Sequence, residues 1–336
     1  MDYLQYTIVT LVKVAVIVGV VLTGCAYMTY AERRIVALFQ QRVGPNLAGP
    51  FGLLQPLADA IKMVFKEDIR PAGAEGWFYN LAPVISFVPA LLTFTVIPFG
   101  DTVTVFGVET KMILSDMNIG VLFFFAVTSL SVYGILLAGW SSGSKYSLMG
   151  GLRSSAQMIS YEVAYGLSLV GVLLLAQTLS LQELVTQQHG FWGMYVWKQP
   201  IGFLVFFICA VAETNRSPFD LAEAESELVA GFHTEYSSMR FGTFFIGEYA
   251  AMIGVGAIAT TIFFGGWQSP FAALDFIPSV LWFAIKVVGF MFFYIWMRAT
   301  LPRFRYDQLM NFGWKMLFPI ALLNTMVTAG IRLWLK

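Results

Sequence analysis

The sequence predicts an all-α integral membrane protein: eight transmembrane helices and an amphipathic helix lying on the cytoplasmic surface. Three observations carry this expectation. The 336-residue chain is 58% hydrophobic and 12% charged, whereas a soluble domain carries roughly 25% charged residues. Eight apolar runs are long enough to cross a hydrocarbon core of ~30 Å, which takes about 20 residues. The cations, finally, are unevenly shared among the segments between those runs. The runs fall at about 4–31, 77–99, 117–140, 157–178, 191–212, 242–264, 278–299 and 313–334. Together they make 1–336 one polytopic membrane domain.

Orientation follows from the cations. Segments 32–76, 141–156, 213–241 and 300–312 hold twelve Lys and Arg, against three (Lys111, Lys198 and Lys336) in the opposite segments. Positive charge is retained in the cytoplasm, so both termini are expected outside. The start does not read as a cleaved signal, because its first cation is Lys13 and the apolar run continues too far.

Span one carries Lys13 near its outer end, where a long cation snorkels to the interface. It runs into Glu32-Arg33-Arg34. Two readings of that triplet stay open: an anchor that fixes topology, or an Arg33 pointed into a polar cavity. In 51–66, Leu54, Leu57, Ala58, Ile61, Val64 and Phe65 recur at helical spacing, while Gln55, Asp59, Lys62 and Lys66 take the other face. This is an amphipathic surface helix, with Pro56 in the first turn, where proline is tolerated. Spans two and three have no charge in their cores, and 141–156 reads as a short polar loop. Span five, 191–212, is the weakest, since Lys198 and Pro200 interrupt it.

Glu162 in span four, Glu213 at the end of span five and Glu248 in span six recur at similar depth. Ionisable groups inside a membrane are functional candidates by default, and three matched carboxyls suit proton exchange. The alternative is three unrelated acids, each bonded to a neighbouring helix. Lys286 in span seven is a counter-ion for a buried acid or a structural partner.

Segment 213–241 holds six acids (Glu213, Asp220, Glu223, Glu225, Glu227, Glu235) against Arg216 and Arg240. Apolar and aromatic residues stand between them: Phe219, Leu221, Leu228, Val229, Phe232 and Tyr236. A solvated connector would use Gly, Ser and Lys instead, so this acidic cytoplasmic loop is expected to fold against something. His233 beside these acids could titrate near neutrality.

No cofactor is expected on this chain. Cys25 and Cys209 are its only cysteines, where an iron–sulfur cluster takes about four and zinc takes clustered Cys and His. His189 and His233 lie far apart. Gly150–Gly151 and Gly265–Gly266 are doublets without a phosphate-loop frame. No metal site and no nucleic-acid partner are expected.

ERRIVALFQQRVGPN, GPFGLLQPLADAIKMVFKED, GWSSGSKYSLMGGLRSSAQMISYE, ETNRSPFDLAEAESELVAGFHTEYSSM and LPRFRYDQLMNFGWK together resemble the quinone-site membrane subunit of respiratory complex I. This is a family of NADH:quinone oxidoreductase membrane subunits, and the resemblance covers almost the whole chain. It implies a subunit of a proton-pumping translocase in the bacterial plasma (inner) membrane. Quinone would be the substrate, with FMN and iron–sulfur clusters carried by partner subunits. The implied partners are the 49-kDa-type and terminal-cluster (20-kDa-type) peripheral subunits, the ferredoxin-like cluster subunit, small membrane subunits and lipid. Arg33 and Lys62 would line the quinone tunnel, with Arg216, Asp220 and Phe219 near its wall and Glu223, Glu225, Glu227 and Glu235 flanking it. Glu162, Glu213 and Glu248 would begin the proton path. Some relatives carry a further acid in span three, where this chain has Ser129 and Ser131. Relatives often read Glu-Gly-Glu at Glu223-Ala224-Glu225, and many have Asn at His233.

Two other functions compete. A membrane subunit of an energy-converting hydrogenase would share the fold but resembles the acidic loop less well. An autonomous transporter would show internal repeats and paired broken helices, which are not apparent.

Overall fold

The structure, a computed structural model, describes residues 3–105, 108–220 and 229–335. Its helices are α1 (Tyr3–Phe39), α2 (Gln55–Phe65), α3 (Gly76–Leu92), α4 (Gly120–Ser141), α5 (Lys145–Ala176), α6 (Leu181–Thr186), α7 (Tyr195–Lys198), α8 (Pro200–Glu213), α9 (Ser238–Phe263), α10 (Ser279–Thr300), α11 (Tyr306–Phe312) and α12 (Phe318–Trp334). The protein is an all-α multi-pass membrane protein. Among the described residues, seven helical segments are long and apolar enough to cross a membrane, and α8 is a shorter apolar helix in the fifth place.

α8 has 14 residues, a rise of about 21 Å at 1.5 Å per residue. The non-helical backbone of Gln199 separates it from α7. Pro200 starts α8 and Lys198 ends α7, so the residues that weaken this run in the sequence sit at the break. The last span is continuous from Tyr306 to Trp334 through a π turn at Gly313–Leu317.

α5 and α9 are the central helices. α5 packs on α4, α8 and α12, and α9 packs on α1, α3 and α10. Glycines allow the close crossings that membrane helices use. A Cβ at Gly134 would stand 2.6 Å from the Ser86 backbone nitrogen of α3. One at Gly139 would stand 2.6 Å from the Ser147 carbonyl oxygen of α5.

Two segments differ from the sequence expectation. The polar stretch read as a loop at 141–156 is largely the start of α5, which begins at Lys145. Its Ser147, Ser154, Ser155 and Gln157 are buried, and Ser154 Oγ donates to Asn215 Oδ1 at 3.2 Å in the turn after α8. Gln157 Nε2 donates to the carbonyls of Ala212 at 2.9 Å and Phe219 at 2.8 Å. Composition alone cannot separate a solvated polar loop from a helix face that binds another segment's backbone. The second difference is a small antiparallel hairpin on the 99–117 connection, β1 (Thr102–Val105) with β2 (Val108–Lys111), pairing Thr102 with Lys111. Lys13 Nζ reaches it, donating to the Lys111 carbonyl at 2.8 Å.

α2 is the amphipathic helix expected at 51–66. Pro56 lies in its first turn, and Leu54, Leu57, Ile61, Val64 and Phe65 are exposed. Its apolar stripe is thus turned away from the rest of the chain. Lys286 is a structural clamp and not a counter-ion. Its Nζ donates to the carbonyls of Phe264 (2.7 Å), Gly266 (2.9 Å) and Gln268 (2.7 Å) beyond the end of α9, which occupies all three of its donors.

Candidate functional site

Charge is concentrated where α1, α9, α10 and the turn after α8 meet. Glu32 on α1 is 6% exposed. Its Oε1 accepts from Arg216 Nη1 at 3.3 Å and from Arg298 Nη1. Its Oε2 accepts from the Tyr249 hydroxyl at 2.6 Å. Arg216 also pairs through Nε with Glu248 at 2.6 Å, and its guanidinium lies 4.5 Å from the centre of the Tyr249 ring. An isolated buried ion is expensive, and pairing is what permits it. Here one arginine is shared by two carboxylates, and one carboxylate by two arginines.

The expected acids are brought into one neighbourhood. Glu213 and Glu248 both line a cavity of about 70 Å³, with Thr128, Ser131, Thr214 and Asn215 on its wall. A water needs roughly 10–15 Å³ by this measure, so the cavity has room for several. Glu162 accepts a hydrogen bond from Ser129 on α4. It lies within electrostatic reach of Glu213. The span-three serines therefore supply hydroxyls both to an acid, through Ser129, and to the cavity, through Ser131.

The residues expected at the tunnel divide into two groups. Arg33 Nη1 pairs with Asp59 at 2.6 Å, and Lys62 Nζ stands 4.0 Å from the other oxygen of Asp59. Both cations are exposed, so α1 and α2 are joined at the surface by this carboxylate. Arg216, Phe219 and Asp220 are buried. Asp220 pairs with Arg303 at 3.2 Å, and Phe219 stacks on Phe304 at 5.7 Å. None of these five lines the cavity between the acids. Glu223, Glu225 and Glu227 lie outside the described residues. Glu235 is partly exposed, and its backbone carbonyl accepts from Tyr79 at 2.7 Å.

The described part of 213–241 is folded against the helices. Phe232 and Tyr236 are buried, and Tyr236 stacks on Tyr79 of α3 at 4.2 Å. His233 is buried, on the cavity wall, and parallel to the Phe245 ring at 5.7 Å. Burial pushes its imidazole down to about 4, so it is neutral at physiological pH and does not titrate near neutrality as its acidic neighbours suggested.

Glu32, Tyr249, Arg298 and Arg303 are the site residues that sequence reasoning missed. A signal existed for two of them. Glu32 opens the boundary triplet on span one, and Arg298 closes span seven at the same side, so an acid and a cation stood at matching depth.

Fold and site define a polytopic helical membrane protein with a shared ionic centre and a polar cavity among its spans. Residues 12–329 match the family model described as NADH dehydrogenase. The NADH-quinone oxidoreductase H subunit numbered 2 of Geobacter sulfurreducens is 55% identical over 319 residues, 95% of each chain. The NADH-quinone oxidoreductase H subunit of Syntrophotalea carbinolica is 50% identical over 99% of each chain. That of Thermomicrobium roseum is 52% identical over 99% of this chain and 98% of its own. The chain belongs to this family.

Proposed function

We propose that the chain is the H-type membrane subunit of a proton-pumping NADH:quinone oxidoreductase. It shapes the passage of the quinone head group at the junction with the peripheral arm and passes protons through Glu162, Glu213 and Glu248. Quinone is the substrate. NADH oxidation, with FMN and the iron–sulfur clusters, belongs to partner subunits, and the 49-kDa-type, 20-kDa-type and ferredoxin-like subunits are the partners against the cytoplasmic face. Segments 32–76 and 213–241 lie in the cytoplasm, with both termini outside.

The observation that supports this reading best is the Arg216 bridge. Glu32, one position from Arg33, shares Arg216 with Glu248, which lines the cavity with Glu213. Arg33 and Lys62 present cations to a polar head group at the membrane boundary. Arg216 then links that boundary to the acids. Two unit charges 4 Å apart interact by about 4 kcal/mol at an effective dielectric near 20. A head group whose charge changed that close to Arg216 would redistribute it between Glu32 and Glu248, altering the proton affinity that Glu248 offers the cavity. Thr128, Ser131 and the space for water supply the hydroxyl steps between carboxyls.

The test is a Gln and Asp series at Glu162, Glu213 and Glu248 in the assembled complex. Gln keeps the shape and cannot carry the proton, whereas Asp keeps the carboxyl. Quinone-dependent pumping in proteoliposomes is expected to fall in the Gln variants and less in the Asp variants. Normal pumping in all three Gln variants would overturn the proton path.

A further inference from the structure

Three connections meet at the end of α9 that lies away from segment 213–241: the one after α3, the one between α6 and α7, and the one before α10. Between them they leave a cavity of about 560 Å³, within the ~300–1,000 Å³ of small-molecule sites. Asp101, His189, Trp267, Gln268, Asp275 and Trp282 line it. It shares no residue with the cavity between the acids.

Each wall is fixed by the fold. Gln188, next to His189, donates through Nε2 to the Thr261 carbonyl at 3.1 Å, and its Oε1 accepts from the Gly265 amide at 3.0 Å. Lys286 holds the carbonyls of Gly266 and Gln268. The Asp101 amide donates to Ser279 Oγ at 3.3 Å, which ties the hairpin connection to the start of α10. Phe191 stacks on Phe271 at 5.6 Å and joins the other two connections. A site supported in this way costs little to order when a ligand enters.

The lining carries two carboxylates and no Lys or Arg. Neither Asp101 nor Asp275 pairs with a cation among the described residues, and Lys111, across the hairpin, is taken by Asp116 at 2.7 Å. The uncompensated negative charge favours a cation. A metal ion fits poorly, because no group of three or more His, Cys, Asp and Glu able to hold one occurs among the described residues. Two tryptophans in the wall favour an organic ammonium, which the face of an indole attracts. Trp267 stands four residues past the end of α9, and Trp282 lies in the first turn of α10. That is the depth at which tryptophan gathers beside lipid head groups. An ammonium donates to carboxylates, and the Gln268 amide can donate to a phosphate.

We propose that this cavity binds a phospholipid whose head group carries a primary ammonium. The ammonium lies among Asp101, Asp275 and the tryptophans, and Gln268 donates to the phosphate. The same two carboxylates repel an anionic head group that lacks the amine. The site stands independently of the quinone passage and of the proton path.

The experiment uses the assembled complex, stripped of lipid in detergent and exposed to a photoreactive phosphatidylethanolamine with its diazirine at the top of an acyl chain. Labelled peptides are mapped by mass spectrometry, and NADH oxidation by a small artificial acceptor checks assembly. Labelling is expected within 264–282. Unlabelled phosphatidylethanolamine should displace it, whereas equal amounts of phosphatidylglycerol or of soluble phosphoethanolamine should not. Asp101→Asn combined with Asp275→Asn should lower the labelling about tenfold, since an exposed ion pair contributes up to about fivefold. Asp275→Asn alone should lower it about threefold, and it decides the matter if the double variant does not assemble. Absence of labelling within 264–282, the result if a partner subunit's cation fills the cavity, would overturn the proposal. Displacement by phosphatidylglycerol, which marks a non-selective lipid shell, would do the same. Displacement by phosphoethanolamine, which marks a site for a soluble amine, and unchanged labelling in the Asn variants count equally against it.

Discussion

Replacing Glu32 by Gln tests the ionic centre directly. The amide has nearly the same volume and can still accept from Tyr249, so the change removes charge and little else. Two arginines lose a carboxylate, Arg216 at 3.3 Å and Arg298. Removing one partner of a buried pair costs about 3–5 kcal/mol. Two features put this case at the low end. Arg216 retains Glu248 at 2.6 Å, and the Arg298 side chain is 37% exposed, so it can turn toward water. A cost near 3 kcal/mol corresponds to roughly a hundredfold increase in local opening, at 1.36 kcal/mol per tenfold. Hydrogen exchange in the assembled complex reads that opening at the last turns of α1 and in the turn after α8. Adding Arg298→Gln removes the cation left over, and the double variant should recover part of the protection. Unchanged exchange in Glu32→Gln, or a double variant no better protected than the single one, would refute the shared-charge account.

Four further outcomes are expected. The Arg33–Asp59–Lys62 contacts are exposed, and such pairs are worth less than about 1 kcal/mol. Arg33→Ala and Lys62→Ala should therefore assemble normally and lower quinone reduction more than NADH oxidation by an artificial acceptor; an equal fall in both activities counts against the tunnel role. His233 sits at about 4 in the fold against an ordinary 6.5. The unfolded segment therefore binds the proton first, and stability is full above pH 6.5 and declines toward pH 4. That window is worth about 3 kcal/mol, measurable as faster exchange of the 231–236 amides in acid and absent in His233→Phe. Gly139→Ala would place a Cβ 2.6 Å from the Ser147 carbonyl oxygen, an overpacking cost of about 1–3 kcal/mol, so the yield of assembled complex should fall. Gly166→Ala meets nothing within 4 Å and is the neutral comparison. A cysteine at Lys66 should resist an impermeant thiol reagent outside whole cells, and labelling there would reverse the orientation.

What the sequence revealed and what it hid divide along the range of the interactions. α2 was legible because Leu57, Ile61 and Val64 lie on one helical stripe, and a stripe is written in consecutive residues. Glu162, Glu213 and Glu248 stood out because a charge in an apolar run is costly. Their depth could be counted from the ends of the runs. Helicity at Lys145–Gln157 was hidden, since Ser154 and Gln157 are satisfied by residues more than fifty positions away. The Glu32–Arg298 pair joins positions 266 apart, and no periodicity reports which helices meet. Lys286 illustrates the same limit: its charge was visible, but the three carbonyls that bind it come from a turn formed only when α9 ends against α10.

The long-range pairs also give the acids distinct surroundings that their shared depth conceals. Glu248 is tied to Arg216 and through it to Glu32, the residue before Arg33 on α1. Glu162 is tied to α4 through Ser129. Glu213 stands between them on the cavity wall with no cation pairing it among the described residues. A carboxylate locked to an arginine cannot take up a proton without breaking that pair. One without a cation can exchange its proton with water in the cavity at no such cost. On the proposed reading the coupling step is assigned to Glu248, where the Arg216 bridge can be redistributed. The same reading assigns transfer to Glu213, so the Gln variants at the two positions should fail differently. Glu248→Gln should uncouple pumping from quinone chemistry while leaving the Glu213 infrared carboxyl band in place. Glu213→Gln should stop proton movement with the Arg216–Glu32 pair intact. Identical behaviour of the two variants would place both acids in a single functional step.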